Sequence, residues 1–212
     1  MATLFDSVVD ENKVYKGASR VVIAAATADG GPTFPSKIED VINVTTFVLA
    51  SGYTDIGATT RDGAKLTRTV EMEEGVETDQ LAVAILKGYP KKWEGQVAFT
   101  WLHSDVESLK IAFEGVAPAA VAGSQGSQKE MKFGSPVALT ERQVCIIQKH
   151  SRQNKYRMIA LRRVIMAPEE IEMAFQSEDA SKLAMAFDLM ADTNQSVTEN
   201  LGSVFEMTTV LS

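Results

Sequence analysis

The chain contains one cysteine and two histidines, and no apolar run approaches the ~20 residues of a membrane-spanning helix. A lone cysteine excludes an intrachain disulfide. Cys145 lies in the apolar run Val144-Cys145-Ile146-Ile147, which predicts a buried, inert thiol rather than a nucleophile. His103 and His150 have no Cys or His partners at metal-ligand spacing. His103 precedes a helix start and His150 sits in a basic turn, so both read as structural or solvated. Gly57 to Gly63 lacks the Gly-Lys-Ser/Thr ending of a phosphate loop. The glycine-flanked serine near Ser124 lies in a loop without the strand-to-helix context of a nucleophile elbow. Glu73-Glu74 and Glu169-Glu170 are adjacent carboxylates, which point to opposite faces of a strand or into solvent from a turn. No catalytic residue, metal or cofactor is expected. The N-terminus carries Asp6, Asp10 and Glu11 without a basic-then-apolar leader, so the expectation is a soluble protein folded in a reducing cytoplasm. The formal charge of −7 argues against generic adhesion to nucleic acid or anionic membranes.

What remains is ordinary globular material: 212 residues, 45% hydrophobic and 23% charged. That length supports one structural domain, with residues 1–50 as an N-terminal arm and first strands and 51–212 as the main body. Val21 to Ala28 is apolar and extended, and Asp29-Gly30-Gly31-Pro32 then breaks the chain. The β-branched run Ile42 to Ala50 predicts a strand, as does Leu81 to Leu86 before the break at Gly88-Tyr89-Pro90. Trp93, Val97, Phe99 and Trp101 alternate with Glu94, Gln96, Ala98 and Thr100, which predicts a strand with an aromatic face. Ser104 and Glu107 have capping-box spacing, and Val106, Leu109, Ala112 and Phe113 follow at helical intervals. This predicts one helix over about 104–114, ended by Gly115. Pro118 to Gly134 reads as an exposed loop. Strands are predicted near Val137 to Lys149 and Tyr156 to Ile165, ringed by Lys149, Arg152, Lys155, Arg157, Arg162 and Arg163. Pro168-Glu169-Glu170 reads as a turn. Leu183 to Leu189 alternates like a strand although its alanine and methionine favour helix.

The segment from Gly52 to Gln80 carries most information. From Lys65 to Glu73, Leu66, Arg68, Val70 and Met72 share one face and Thr67, Thr69, Glu71 and Glu73 the other. This is the pattern of a half-buried strand, with Asp62-Gly63 as the turn before it and Gly52 and Gly57 as further turn residues.

Tyr53, Asp55, Gly57, Thr60, Asp62, Gly63, Glu71, Asp79 and Gln80, in this order, resemble the N-terminal signature of bacteriophage major tail tube proteins of the siphophage type. Tyr53 stands where that family often has tryptophan. The likeness extends more weakly to Trp93–Phe113 and Leu183–Asp192, and it tips the latter towards strand. The resemblance implies a mainly β fold, an antiparallel β-sandwich or barrel with one flanking helix and extended arms and loops. It also implies hexameric rings stacked into a tube that conducts DNA, within a virion tail assembled in the host cytoplasm. Implied partners are further copies of the chain, a tape measure protein, and tail terminator or baseplate proteins; DNA passes without specific binding. Glu71 and Glu73 are then candidates for the lumen. Asp55, Arg61, Asp62, Arg68, Asp79, Gln80, Arg152 and Lys155 are candidates for contacts between subunits or rings. The alternatives are a type VI secretion-like tube subunit, or a monomeric β-sandwich decoration or adhesion module.

Overall fold

The computed structural model describes residues 19–56, 59–72, 90–101, 106–123, 127–134, 139–150, 155–167, 183–196 and 198–208. Its strands are β1 (Ser19–Ala25), β2 (Thr54–Asp55), β3 (Thr59–Met72), β4 (Pro90–Trp101), β5 (Ala119–Ala120), β6 (Lys129–Glu130), β7 (Arg142–Lys149), β8 (Lys155–Met166), β9 (Leu183–Leu189) and β10 (Gly202–Thr208). The helix α1 spans Val106–Ala112. The main sheet is antiparallel, in the order β2-β1-β7-β8-β9-β4-β3, with β10 paired to β8. β5 and β6 form a separate two-stranded pair within the segment expected to be only a loop.

The first and last strands of that order are consecutive in the chain. Four Cα steps from Asp55 to Thr59 can reach at most about 14 Å, so the sheet must roll up. The Ile56 amide also donates to the Val21 carbonyl at 3.2 Å, continuing the β1–β2 seam towards β3. The result is barrel-like, and its interior is apolar by alternation. Val21 and Ile23 of β1, Val97, Phe99 and Trp101 of β4, Val144 and Ile146 of β7, and Leu183, Met185 and Phe187 of β9 pack together there. Phe99 and Phe187 stack with ring centroids 5.9 Å apart. Ala112 of α1 joins this core, with Leu109, Ile111 and Phe113 partly buried against it.

A second core covers the outer face of β1, β7 and β8. Val22, Ala24, Cys145, Ile147, Met158 and Ala160 meet Ile38, Val41, Ile42 and Tyr53 from the long excursion between β1 and β2. With both faces covered, β7 is buried from Arg142 through Ile147, which explains its nearly unbroken apolar sequence. Cys145 is fully buried, and burial pushes its thiol up to about 12. Burial likewise raises the Tyr53 hydroxyl above its ordinary range.

Several expectations are corrected. Ile42 to Ala50 is a closed loop, not a strand: its only ladder contact is the Ile42–Leu49 bridge. The Asn43 side-chain oxygen accepts from the amides of Thr45 and Thr46 at 2.9 and 3.0 Å, folding the chain back despite its β-branched composition. Phe47 takes a left-handed φ of 57°. Asp62-Gly63 is not a turn preceding the signature strand but a bulge within β3. Thr59 faces Trp101 and Ala64 faces Phe99, so residues 60–63 stand opposite Thr100 alone. Gly63 supplies the φ of 69° that this distortion needs. Gly52 does turn the chain, at φ 88°. Helix α1 is closed by Glu114, at φ 50°, while the Gly115 amide bonds to the Lys110 carbonyl. This is a Schellman ending with glutamate in the left-handed position. A Cβ at Gly115 would sit 2.8 Å from the Met131 sulfur and 3.2 Å from the Lys132 carbonyl oxygen, so a larger residue there would require the methionine to shift. β10 was not anticipated from the sequence. Leu81–Leu86, Gly88-Tyr89, Ser104 and Pro168-Glu169-Glu170 lie outside the described residues.

Candidate functional site: an exposed β-arm and its rim

β3 is longer than the barrel needs. Its first part closes the roll beside β1, and its second part, from Lys65, pairs with β4 along Lys65–Ala98 to Glu71–Lys92. β9 reaches only as far as Gln96 on the other side of β4. Beyond Thr67 and Gln96 the two strands therefore leave the body as a ribbon. Every residue from Lys65 to Glu71 is exposed, on both faces. Leu66 and Val70, expected to face inward, are 42% and 38% exposed. No second layer covers this part of the sheet within the described residues, so the alternation that predicts a half-buried strand has no partner among them. A two-stranded ribbon with both faces wet has little stability of its own.

The predicted site residues distribute as follows. Glu71 and Arg68 lie on the arm, opposite Lys92 and Gly95 in register. Arg61 and Asp62 lie in the bulge where the arm leaves the barrel. Asp55, in β2, accepts from Arg20 Nε at 2.7 Å, each side chain being about one-third exposed. Lys155 opens β8 opposite Thr208 of β10. Glu73, Asp79, Gln80 and Arg152 lie outside the described residues.

Most of the basic cluster around β7 and β8 is engaged inside the chain. Arg157 pairs with Glu206 of β10 at 2.5 Å. Arg163 makes a two-pronged pair with Glu141, and that hydrogen bonding holds its guanidinium above its usual value. The Arg162 guanidinium lies 3.9 Å from the centre of the Phe34 ring and donates to the Glu199 carbonyl. Arg162, Arg163, Phe34, Glu141 and Asp192 border a groove of about 550 Å³. These bonds make it a polar seam between the 26–34 loop and the turn after β9. His150 is buried, its amide closing on the Lys155 carbonyl at 2.8 Å, which agrees with a structural role.

A second polar feature was not legible in sequence. Arg142 Nη2 and Glu114 Oε2 are 2.9 Å apart with side chains 9% and 8% exposed. Thr140 Oγ1 also donates to that carboxylate oxygen. Residues 28 apart in sequence offer no local signal for such a pair. Burial lowers the Arg142 guanidinium while Glu114 works against that shift. Among the described residues no group of three or more His, Cys, Asp or Glu is placed to hold a metal ion, and no helix is long and apolar enough to cross a membrane.

The sequence matches the family described as "Phage tail tube protein" over residues 9–204. No curated protein matches it. A similar solved structure is the tail of an empty GTA particle, determined with C6 symmetry. The likeness has a TM-score of 0.36 and 7% identity, covering 73% of this chain and 93% of that one. The family match spans nearly the whole chain, including the barrel, the bulge and the arm. The chain belongs to the phage tail tube protein family, a structural component of the virion tail and not an enzyme family.

Proposed function

We propose that the chain assembles as hexameric rings that stack into a tube through which DNA passes into the host. The observation that carries this reading is the arm. A family of tube-forming subunits needs surfaces that are incomplete in one copy, and Lys65–Glu71 is a strand exposed on both faces at the end of the sheet order. Exposed edges are a hazard in a monomer and a joint in an assembly. Head-to-tail contacts close into a ring by rotation and leave the axial faces open for stacking.

Charge supports the conduit. A channel for DNA works best when its wall repels phosphate, and the chain carries −7 overall. Glu71 and Glu73 face the lumen in this reading. Asp55, Arg61, Asp62, Arg68, Asp79, Gln80, Arg152 and Lys155 contact neighbouring subunits or rings, with the N-terminal arm adding to ring-to-ring contact. Tape measure and terminator or baseplate proteins set the tube's length and ends. The double variant Glu71→Gln/Glu73→Gln is expected to assemble but slow DNA passage. Ejection kinetics identical to the parent would refute the lumen assignment. Tubes of normal length after deletion of residues 1–20 would exclude a role for the N-terminal arm.

A further inference from the structure

Phe47 adopts a backbone conformation that bulky side chains rarely take, φ 57°. Backbone strain of this kind persists where the surroundings impose it, and it is a marker of binding segments. Here the surroundings are specific. The Asn43 amide and the Val48 carbonyl pair at 2.9 Å, the Phe47 amide bonds to the Asn43 carbonyl at 2.7 Å, and the Ile42–Leu49 bridge closes the base. Arg20, already anchored on Asp55, donates from Nη1 to the Phe47 carbonyl at 3.0 Å. Lys149 Nζ lies 5.8 Å from the Phe47 ring centre and 5.7 Å from that of Tyr156. This ordering buries the base of the loop, Ile42 in the outer core with Val44, Leu49 and Ala50 packed against it, but not its tip. Phe47 is 47% exposed and Val48 63%, and neither belongs to either core. The loop is a rigid knob that presents two apolar side chains outward.

The knob stands at the rim from which the arm departs. Arg20 holds it, and the adjacent Ser19 places its Oγ 3.4 Å from where a Gly63 Cβ would lie, at the bulge that launches the arm. The arm carries the other exposed apolar pair of this region, Leu66 and Val70, on one face by alternation. A chain built to associate with its own copies thus exposes two apolar features at one rim, and neither covers the other within the chain.

We infer that the Phe47–Val48 knob is the seat for the Leu66/Val70 face of the arm of a second copy of this chain. The inference rests on the tube reading and adds to it which surface receives the arm. The contact is heterologous, knob to arm, so it propagates from copy to copy around a ring.

Cys145 is buried, so engineered surface cysteines report cleanly. Two full-length single variants, Val48→Cys and Leu66→Cys, are mixed under assembly conditions and oxidised. The expected product is a mixed disulfide between position 48 of one copy and position 66 of another, identified by peptide mass. It should exceed at least tenfold the product from the control pair Val116→Cys and Leu66→Cys. Phe47→Gly, which suits the left-handed backbone, is expected to keep the unassembled protein's melting temperature within a few degrees while the assembled fraction falls at least tenfold. Rings that form without the mixed disulfide above the control, or Phe47→Gly assembling as the parent does, would overturn this contact alone. A parent protein that never associates would overturn the tube reading and the contact with it.

Discussion

Replacing Glu114 by glutamine removes one charge from the least exposed ion pair described in the chain and keeps the side chain's size. Arg142 and Glu114 have 9% and 8% of their side chains exposed, with Nη2 and Oε2 2.9 Å apart. Guanidinium does not release its proton at any ordinary pH, so Arg142 is left charged and buried without its counter-ion. Breaking a buried pair from one side costs about 3–5 kcal/mol. At 2–4 °C per kcal/mol for a chain of this length, that corresponds to roughly 6–20 °C in melting temperature. The Thr140 hydroxyl loses its charged acceptor as well, which places the expectation in the upper half of the range. Glutamine preserves the backbone strain at φ 50°, so the change isolates electrostatics from conformation. The pair joins the end of α1 to the start of β7, and its loss should loosen the helix against the inner core. Urea denaturation of the unassembled protein, followed by far-UV circular dichroism, measures the cost. Replacing both partners, Glu114→Gln with Arg142→Met, removes the stranded charge and should recover most of it. A single variant that costs under about 1 kcal/mol, or a double variant no more stable than Glu114→Gln, would refute the reasoning.

Three further outcomes follow from the fold. The Cys145 thiol should resist maleimide in the folded protein and react on unfolding; rapid labelling of native protein would contradict its burial. Because its folded value is raised to about 12 from 9.0, the stability that burial of the neutral thiol contributes is complete below pH 9. It is lost progressively as pH rises towards 12, and a Cys145→Ala variant should show a shallower alkaline decline in melting temperature. Gly63→Val places a β-branched residue at φ 69° in the bulge and should destabilise the protein by about 1–3 kcal/mol; an unchanged urea midpoint would mean that the bulge does not need glycine.

The barrel strands were largely legible because their faces differ. Val97, Phe99 and Trp101 alternate with less buried neighbours, and the same holds for Leu183, Met185 and Phe187 in β9, where the family resemblance rather than periodicity alone decides against the helix preference of alanine and methionine. The central strand β7 carries the apolar run Val144 to Ile147, and its two-sided burial supplies the reason. The 42–50 loop misled because β-branched content speaks for strand while a single Asn43 side chain fixes a turn. β10 escaped notice because its half-exposed face pairs over Lys155–Leu161 of β8, a contact between distant segments that leaves little local pattern. The arm shows a different limit. Leu66 and Val70 alternate as a half-buried face would, yet the described residues leave them 42% and 38% exposed. The Arg142–Glu114 pair and the strained Phe47 are products of tertiary placement, with no spacing to announce them.

Completion of this chain by copies of itself is visible by electron microscopy of the purified full-length protein across a rising concentration series. Hollow six-fold rings are expected and, at higher concentration, stacks of them forming a tube with an open lumen. A protein that remains a strict monomer throughout the series, with no rings in any field, would contradict it.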